Sequence, residues 1–340
     1  MTQIQTSQTK PLQQEVYKSK NTEQVFSVVR ENIACVCCGS NDNKQLYHYD
    51  AEYFDHEKFE TYSWDGGFPL DLTIVKCNDC GMVYQNERFT EESIGALYPH
   101  HPLPEKLDYS RLMRHHKFGF FLNMVREYAS PSRLPKRTAL DVGTRYGVLP
   151  ELLNHRGYKA FGLEMNLKAV KLANEAGFSG VHHGTLLDLE EVMKKEHVDR
   201  LNLVSMIDVV EHLLWPQRDF EMISQHQQKG DKIIMSTMDI DSLGHKVFGK
   251  HWYFIHAQHT FYWSEKTLGA LLDQFGYDLK YVHRIPKYKN LRILPQEMMK
   301  LRKHKQHLSG KDKYFENGKR WFAEQRPSLF DYMNVVAEKR

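Results

Sequence analysis

Five cysteines lie together in the first quarter of this 340-residue chain, and four of them have the spacing of metal ligands. Cys35 and Cys38 belong to one C-x2-C-G motif, and Cys77 and Cys80 belong to a second. In each motif two thiolates and the backbone N–H groups that follow can wrap one side of a tetrahedral Zn²⁺ ion. We therefore predict a zinc site with these four ligands, and Cys37 is the cysteine left over.

The predicted zinc site is expected to be structural. Four thiolates complete the tetrahedral coordination of Zn²⁺ and leave no position for a substrate or an activated water. The segment between the two motifs is longer than that of a compact zinc ribbon and contains strand-like runs of its own. We therefore predict a small zinc-binding β domain at 31–90, preceded by a flexible segment at 1–30 and followed by a linker at 91–111.

A second region with chemistry-bearing residues follows this linker. Apolar residues at 139–142 predict a short buried strand, and Gly143 and Gly147 then let the backbone pass close to a ligand. Another apolar run, at 160–163, ends in Glu164. In folds that bind dinucleotides, an acid about 20 residues past the loop accepts hydrogen bonds from ribose hydroxyls. Glu164 stands at about that distance from the loop, so the region is predicted to bind an adenosyl group.

The acid at the start of the loop argues against a dinucleotide. Asp141 precedes the first glycine, and the loop has no third glycine to bring a helix N-terminus against a pyrophosphate. An acid there suits a ligand that carries an ammonium group. This combination resembles the class I S-adenosylmethionine (SAM) methyltransferases, in which an acid precedes a glycine-rich loop and the second strand ends in the ribose-binding acid. Arg145 stands where the family usually has glycine, and its side chain would lie where SAM needs space.

Later segments extend the resemblance. An apolar run at 201–207 leads into Asp208-Val-Val-Glu-His-Leu213, which is similar to the family's segment after the fourth strand. Asn202 is a departure, since the family commonly has an acid there. Apolar runs at 232–236 and 334–337 predict two more strands.

Strand and helix patterns that alternate in this way predict an α/β fold. The expected fold is a doubly wound, mostly parallel, seven-stranded Rossmann-like sheet with the small zinc-binding β domain at its N-terminal side. The SAM-dependent methyltransferase domain would span 112–340. A basic insertion at about 285–326 would interrupt it.

The resemblance also implies which residues bind the cofactor. Met165 would pack on the adenine face, Asp188 would contact the adenine amino group, and Asp208 would hold the methionine portion. The whole implied set consists of Asp141, Gly143, Gly147, Glu164, Met165, Asp188 and Asp208.

Histidines are concentrated after the fifth predicted strand, where His245, His251, His256 and His259 fall within fifteen residues. Methyl transfer from a sulfonium is an in-line displacement, so the enzyme aligns a nucleophile and removes a proton from a hydroxyl or an acidic carbon. In the resembling subgroup this loop lines the acceptor pocket, and His259 occupies the matching histidine position. His259 is thus the first candidate for the general base and His256 the second, while His212 is expected to line the pocket.

A two-motif zinc domain before a SAM domain resembles a methyltransferase subgroup from sugar, surface-glycan and natural-product pathways. It implies methyl transfer from SAM to a small-molecule acceptor, an activated sugar or surface-glycan precursor, at oxygen or carbon. Two alternatives stay open, an RNA methyltransferase and a catalytically inactive SAM-fold scaffold. The RNA alternative expects a strongly basic N-terminal domain, whereas residues 47–71 are acidic and aromatic and would repel phosphate.

Composition bears on location and partners. No apolar run reaches the roughly 18 residues of a membrane helix and nothing resembles a signal peptide, so a cytoplasmic location is expected. The net charge of +3 is too small to argue for nucleic acid. From 280 to 320 basic residues greatly outnumber acids. This segment is consistent with a solvated helical insertion, a clamp on the diphosphate of a nucleotide-linked sugar, or a patch that contacts an anionic membrane near a lipid-linked acceptor.

Overall fold

The computed structural model of the chain describes residues 10–18, 25–50, 71–98, 103, 121–129, 137–178, 180–285 and 330–340. These residues form three β-sheets with helices between the strands. The predicted basic insertion lies outside them, apart from its first residue. Among the described helices, none combines the length and the apolar character needed to cross a membrane.

The strands of the described residues are β1 (Lys10–Lys18), β2 (Val25–Asn32), β3 (Asn43–Tyr49), β4 (Leu72–Cys77), β5 (Val83–Gln85), β6 (Arg88–Phe89), β7 (Arg137–Val142), β8 (Tyr158–Glu164), β9 (Val181–His183), β10 (Leu203–Ile207), β11 (Lys232–Met238), β12 (Phe261–Tyr262), β13 (Tyr277–Ile285) and β14 (Tyr332–Lys339). The α-helices are α1 (Glu91–Leu97), α2 (Val148–Asn154), α3 (Leu167–Glu175), α4 (Leu189–Lys195), α5 (Pro216–Gln225), α6 (Leu243–Phe248) and α7 (Glu265–Gln274). Short 3-10 turns lie at Leu186–Asp188 and Gly249–His251, and a π-helical turn lies at Val125–Ala129.

The largest sheet has seven strands in the order β13-β14-β11-β10-β7-β8-β9. Strands β11, β10, β7, β8 and β9 run parallel, whereas β14 is antiparallel to both β11 and β13. The chain moves outward from β7 to β9, then returns to β10 and moves outward the other way to β11. Because crossovers between parallel strands are right-handed, these two directions place the helices on opposite faces. The predicted doubly wound Rossmann-like sheet is therefore confirmed.

The strands at the centre of this sheet owe their apolar sequences to burial on both faces. In β8 every residue except Lys159 is buried, and the last four residues of β7 are buried as well. Neighbouring strands β7 and β10 send the chain in opposite directions, so a crevice opens where their carboxyl ends meet. In sheets of this kind ligands bind at that switch point.

A four-stranded sheet, in the order β12-β5-β4-β3, carries the second cysteine motif at the turn between β4 and β5. Its edge strand β12 comes from the methyltransferase part of the chain and pairs antiparallel with β5. One hydrophobic cluster contains Val75 from this sheet together with Trp263 and Leu140. The expected N-terminal β region with its cysteines is present and packs on the central sheet, while the boundaries predicted at 31–90, 91–111 and 112–340 stay predictions.

Candidate functional site

The four predicted zinc ligands meet in one cluster. The Sγ atoms of Cys35 and Cys80 are 3.4 Å apart, those of Cys38 and Cys77 are 3.6 Å apart, and all four lie within 4.8 Å of one another. Zinc–sulfur bonds of about 2.3 Å in a tetrahedron place the sulfurs about 3.8 Å apart, so the cluster fits a Zn²⁺ ion. Cys37 is not part of this cluster. Its Sγ instead contacts the carbonyl oxygen of Thr267 in α7 at 3.5 Å.

Two glycines shape the cysteine turns. Gly39 and Gly81 have φ values of 75° and 86°, in the left-handed region that suits glycine. Their N–H groups donate to the carbonyl oxygens of Cys35 and Cys77 at 2.8 and 3.1 Å. Burial raises the pKa of the Cys38 thiol to about 11, so without a cation this thiol stays protonated at neutral pH.

Glu164 lies buried at the carboxyl end of β8, where the sequence predicted a ribose-binding acid. Its Oε2 accepts a hydrogen bond from the Arg145 N–H at 2.8 Å, and its Oε1 accepts one from the Asn166 N–H at 2.7 Å. Burial raises the pKa of this carboxyl, and the two N–H groups act in the opposite direction. Each carboxylate oxygen has two lone pairs, so both can accept a ribose hydroxyl as well.

Tyr98 is a neighbour of Glu164 that sequence reasoning missed. This residue follows α1, and its ring lies close enough to the Glu164 carboxyl to feel its charge. Burial and the carboxyl group together raise the pKa of Tyr98. It falls in the segment predicted to be a linker, where no motif marked it.

The loop after β7 is built around its two glycines. Gly143 and Gly147 have φ values of 66° and 73°. A Cβ on Gly143 would lie 2.6 Å from Val209 Cγ2, and one on Gly147 would lie 2.4 Å from Val181 Cγ2. The sequence interpretation assigned these glycines to the close approach of a ligand, whereas the atoms that exclude a side chain here belong to valines.

Asp141 and Arg145 frame the same loop. The buried Asp141 Oδ1 accepts a hydrogen bond from Ser205 Oγ at 2.6 Å, which ties β7 to β10 at the switch point. Arg145 takes the left-handed conformation of the usual glycine, with φ of 55°, and its side chain is exposed. Its guanidinium carbon lies 5.1 Å from the ring centroid of Tyr146, so the side chain rests on the protein.

Asn202, the second departure from the family pattern, lies at the amino ends of the parallel strands, away from the switch point. It immediately precedes β10, whose carboxyl end forms the switch point. Its Oδ1 accepts from the Thr138 N–H at 3.1 Å, and its Nδ2 donates to Asp231 Oδ1 at 3.1 Å. Its role is therefore in holding strands together at the amino end of β7.

The residues expected around adenine lie on loops beside β8 and β9. Met165 and Leu187 are large apolar side chains with exposed fractions of 37% and 54%. Asp188 Oδ2 accepts a hydrogen bond from the Thr185 N–H at 2.8 Å, so one of its oxygens closes a local turn. Leu187 is a candidate adenine contact that sequence reasoning did not single out.

Asp208 follows β10 with a φ of 59°. Its Oδ1 accepts hydrogen bonds from Ser236 Oγ, at 3.0 Å, and from the hydroxyl of Tyr332 in β14. Burial, followed by the negative charge of Asp208, raises the pKa of Tyr332 well above its ordinary value. Asp208 is therefore fixed at the crevice by two strands that the sequence could not associate with it.

Three histidines come together near the loop that follows β10. The ring centroid of His259 lies 3.5 Å from that of His256 and 4.8 Å from that of His212. His259 Nδ1 is 2.7 Å from the carbonyl oxygen of Phe254. Because a carbonyl only accepts, this nitrogen carries the proton and Nε2 of a neutral ring holds the lone pair.

The other two histidines of the loop lie outside this cluster. His245 is paired with the Tyr47 hydroxyl at 2.9 Å, and His251 ends the 3-10 turn after α6. Both predicted base candidates are thus in the cluster, and His212 joins them from the loop after β10.

Gln85 of β5 holds the histidine loop. Its Nε2 lies within hydrogen-bonding distance of the carbonyl oxygens of His256, Ala257 and His259, at 3.3, 3.0 and 2.7 Å. Its backbone N–H donates to the carbonyl oxygen of Thr260 at 2.9 Å. Gln85 belongs to no motif, and only the pairing of β5 with β12 places it here.

Arg88 holds the loop after β10 in a similar way. Its guanidinium pairs with the buried Glu31 at 2.8 Å and lies 4.3 Å from the ring centroid of Trp215. It also donates to the carbonyl oxygen of Leu214. Residues of the N-terminal β region therefore hold both loops that carry the histidines.

Comparison with known protein families shows which family the chain belongs to. A family model described as a methyltransferase domain matches residues 113–282, which is half of the chain. The chain therefore belongs to this methyltransferase family. It is a methyltransferase. No curated protein gives a significant sequence match.

Several solved structures are similar to this chain. A SAM-dependent methyltransferase from Archaeoglobus fulgidus is 20% identical, covering 68% of this chain and 100% of its own, with a TM-score of 0.43. Magnesium protoporphyrin IX methyltransferase from Synechocystis PCC 6803, with bound SAH, is 12% identical and has a TM-score of 0.43. The match covers 70% of this chain and 90% of the other chain. Phosphoethanolamine N-methyltransferase 2 from Haemonchus contortus, in complex with S-adenosyl-L-methionine, is 14% identical and has a TM-score of 0.44. The match covers 65% of this chain and 52% of the other chain.

Proposed function

We propose that this enzyme transfers the methyl group of SAM to a small-molecule acceptor, an activated sugar or surface-glycan precursor, at oxygen or carbon. The observation that carries the proposal is the buried pair His256 and His259, which lies beside His212 of the loop after β10. Their exposed fractions are 7% and 5%, so bulk water is largely excluded from them. A buried imidazole at this edge suits proton removal from a small acceptor that enters the crevice.

The proposed SAM site follows the strand ends. Glu164 would accept the ribose hydroxyls, and the Gly143–Gly147 loop would face the adenosyl group beside Asp141. Met165 would cover the adenine face and Asp188 would accept from the adenine amino group. Asp208 would hold the methionine portion. The support is that Glu164 has both carboxylate oxygens oriented by backbone N–H groups and that Met165 is partly exposed beside it.

The proposed reaction is a single displacement. The acceptor's nucleophilic atom attacks the methyl carbon, the bond from that carbon to sulfur breaks, and its electron pair stays on the sulfur. In the metal-free site the acceptor proton goes to Nε2 of His259, with His256 as the second candidate base. The Phe254 carbonyl, which accepts from Nδ1–H at 2.7 Å, would stabilise the imidazolium that forms.

We further propose that Cys35, Cys38, Cys77 and Cys80 hold a structural Zn²⁺. The support is their mutual distance and the two left-handed glycines that form the turns. A four-thiolate site is closed, so the ion would stabilise the fold and take no part in methyl transfer. This zinc region beside a methyltransferase domain is what favours the sugar and surface-glycan subgroup.

The cytoplasmic location and the roles of the basic segment rest on the sequence alone. That segment would either clamp the diphosphate of a nucleotide-linked sugar or contact an anionic membrane near a lipid-linked acceptor. Both proposals agree with an acceptor that carries phosphate at a distance from the methylated atom.

The acceptor class is testable with SAM labelled in its methyl group. Purified protein and labelled SAM would be added to fractions of a cell extract that contain small metabolites, glycans or RNA. We expect label in the nucleotide-sugar or glycan-precursor fraction and none in RNA. Label that enters RNA and is released by ribonuclease would contradict the proposal and favour the RNA alternative.

A further inference from the structure

Three side chains from two loops converge beside the proposed acceptor site. Glu211 and His212 belong to the loop after β10, and His259 belongs to the loop before β12. One carboxylate oxygen and one ring nitrogen from each histidine all lie within 4.8 Å of one another. Glu211 and His259 are buried and His212 is half-buried. This cluster is separate from the four cysteines.

Both imidazoles are oriented in the same way. His212 Nδ1 lies 2.7 Å from the carbonyl oxygen of Gln258, and His259 Nδ1 lies 2.7 Å from that of Phe254. Since carbonyl oxygens only accept, each Nδ1 carries a proton, and each neutral ring has its lone pair on Nε2. Imidazoles that donate one N–H to a backbone carbonyl and offer the other nitrogen are typical of metal ligands.

The backbone holds the two loops together at this point. The carbonyl oxygen of Glu211 accepts hydrogen bonds from the N–H groups of Thr260 and Phe261, at 2.9 and 3.1 Å. Gln85 fixes the carbonyl oxygen of His259 from the other side at 2.7 Å. The carboxylate and the two rings are therefore brought close by contacts that need no ligand.

We propose that Glu211, His212 and His259 bind a divalent transition-metal cation. Two imidazole nitrogens and one carboxylate oxygen form a donor set that suits Zn²⁺, Co²⁺ or Fe²⁺. Metal–ligand bonds of about 2.1 Å in a tetrahedron would place these atoms about 3.4 Å apart, so small side-chain rotations bring them into range. Three protein ligands leave an open position, in contrast to the closed four-cysteine site.

The cation would act on the acceptor, and this part of the proposal rests on the proposed function. An acceptor hydroxyl oxygen bound at the open position would lose its proton more readily, and the proton would pass to His256. The oxygen then forms its bond to the methyl carbon as the carbon–sulfur bond breaks with its electron pair on sulfur. In the metal-bound enzyme His259 is a ligand, and His256 is the base.

The test is a zinc titration of the full chain whose cysteine site is already loaded. Competition with a chromophoric chelator measures how many further zinc ions bind. We expect one further ion per chain in the wild type, and none in His212→Ala or His259→Ala. His155→Ala, an exposed histidine paired with Glu151, serves as the matched control and should bind like the wild type. A wild type without a second saturable site, or a site that survives both variants, would overturn the proposal.

Cobalt supplies a second readout that separates the two metal sites. Co²⁺ added to the zinc-loaded protein should give weak visible bands without the intense near-ultraviolet band of sulfur ligands. A strong sulfur band would place the ion at the cysteines and contradict the proposal. Calorimetric SAM binding is measured on each variant, both to show that it is folded and to keep the cofactor question separate. SAM binding without a second zinc defeats only this inference, whereas a second zinc without SAM binding defeats the proposed function.

Discussion

Glu164 is the residue that we propose accepts the ribose hydroxyls of SAM. It is buried at a strand end, and two backbone N–H groups donate to its two oxygens. Burial raises the pKa of its carboxyl above the ordinary value of 4.5. Protonation would remove acceptor capacity that the ribose hydroxyls would require, so we expect the ionised form to bind SAM.

SAM affinity should therefore depend on pH through Glu164. As pH falls through the raised pKa of this carboxyl, the ionised fraction falls and the dissociation constant for SAM rises. Glu164→Gln should weaken binding about tenfold or more at neutral pH, because hydrogen bonds to a charged group are lost. Calorimetric titrations between about pH 5 and pH 8 measure both effects. An unchanged acid dependence in the glutamine variant would show that another group is responsible.

Arg145 offers a test of the loop's backbone. Its φ of 55° is a conformation that glycine adopts freely, and its side chain rests on Tyr146. We expect Arg145→Gly to keep SAM affinity and to change the free energy of unfolding by no more than about 1 kcal/mol. Arg145→Pro should weaken SAM binding, because it removes the N–H donor to Glu164 and fixes φ near −65°. Loss of affinity in the glycine variant would mean that the arginine side chain itself contacts SAM.

At the scale of elements, the short strand β5 connects the cysteine turn to the histidine loop. It starts two residues after Gly81 and ends at Gln85, whose amide reaches three carbonyl groups of that loop. A displacement of about 1 Å at a reacting group can cost about a hundredfold in rate. Gln85 is therefore a positioning residue for the proposed base.

Gln85→Met should lower kcat about tenfold or more and leave SAM affinity unchanged. Methionine keeps the length and the burial of glutamine but lacks the amide that holds the loop. Gln45→Met, at an exposed position on β3 of the same sheet, is the matched control. Steady-state kinetics with the identified acceptor, together with SAM calorimetry, separate the two quantities. If turnover matches the control, the amide does not position the histidines.

Predictability from the sequence also differs between elements. The strands β7 and β8 could be predicted because both combine an apolar run with an acid at or near the carboxyl end. The two-residue strand β12 could not, because its partner strand β5 lies far earlier in the chain, with Phe261 paired to Tyr84. For the same reason Gln85 and Tyr98 were missed, and His212 was expected only to line a pocket.

At the scale of the whole molecule, the cysteine region and the methyltransferase sheet share one hydrophobic core. The cluster that contains Cys35 and Cys77 also contains Phe261, Leu140 and Met235. Loss of the proposed zinc ion would therefore be expected to disturb packing well beyond the cysteine turns. The fold class and the grouping of the four cysteines could be predicted from the sequence because their motifs are local, whereas the shared core depends on contacts between distant segments.

Removal of the proposed structural zinc should destabilise the whole chain. Cys77→Ser should lower the zinc content and reduce the free energy of unfolding by several kcal/mol, since binding to structural zinc sites contributes about 10 kcal/mol or more. Cys37→Ser is the control, because Cys37 lies outside the cluster. The Cys37→Ser protein should therefore keep the zinc content of the wild type. Metal analysis and thermal unfolding of both variants give the comparison. Equal zinc content in the two variants would contradict the assignment.

The most direct measurement for the proposed enzyme is calorimetric titration of the zinc-loaded chain with SAM. We expect the wild type and His259→Ala to bind SAM with equal affinity, and Glu164→Ala to lose most of that affinity while remaining folded. Such a result would place the cofactor at the end of β8. It would also show that His259 is not needed for SAM binding, as expected for a residue that acts on the acceptor. No binding heat with the folded wild type, or equal affinity in Glu164→Ala, would contradict the cofactor site on which the proposed function depends.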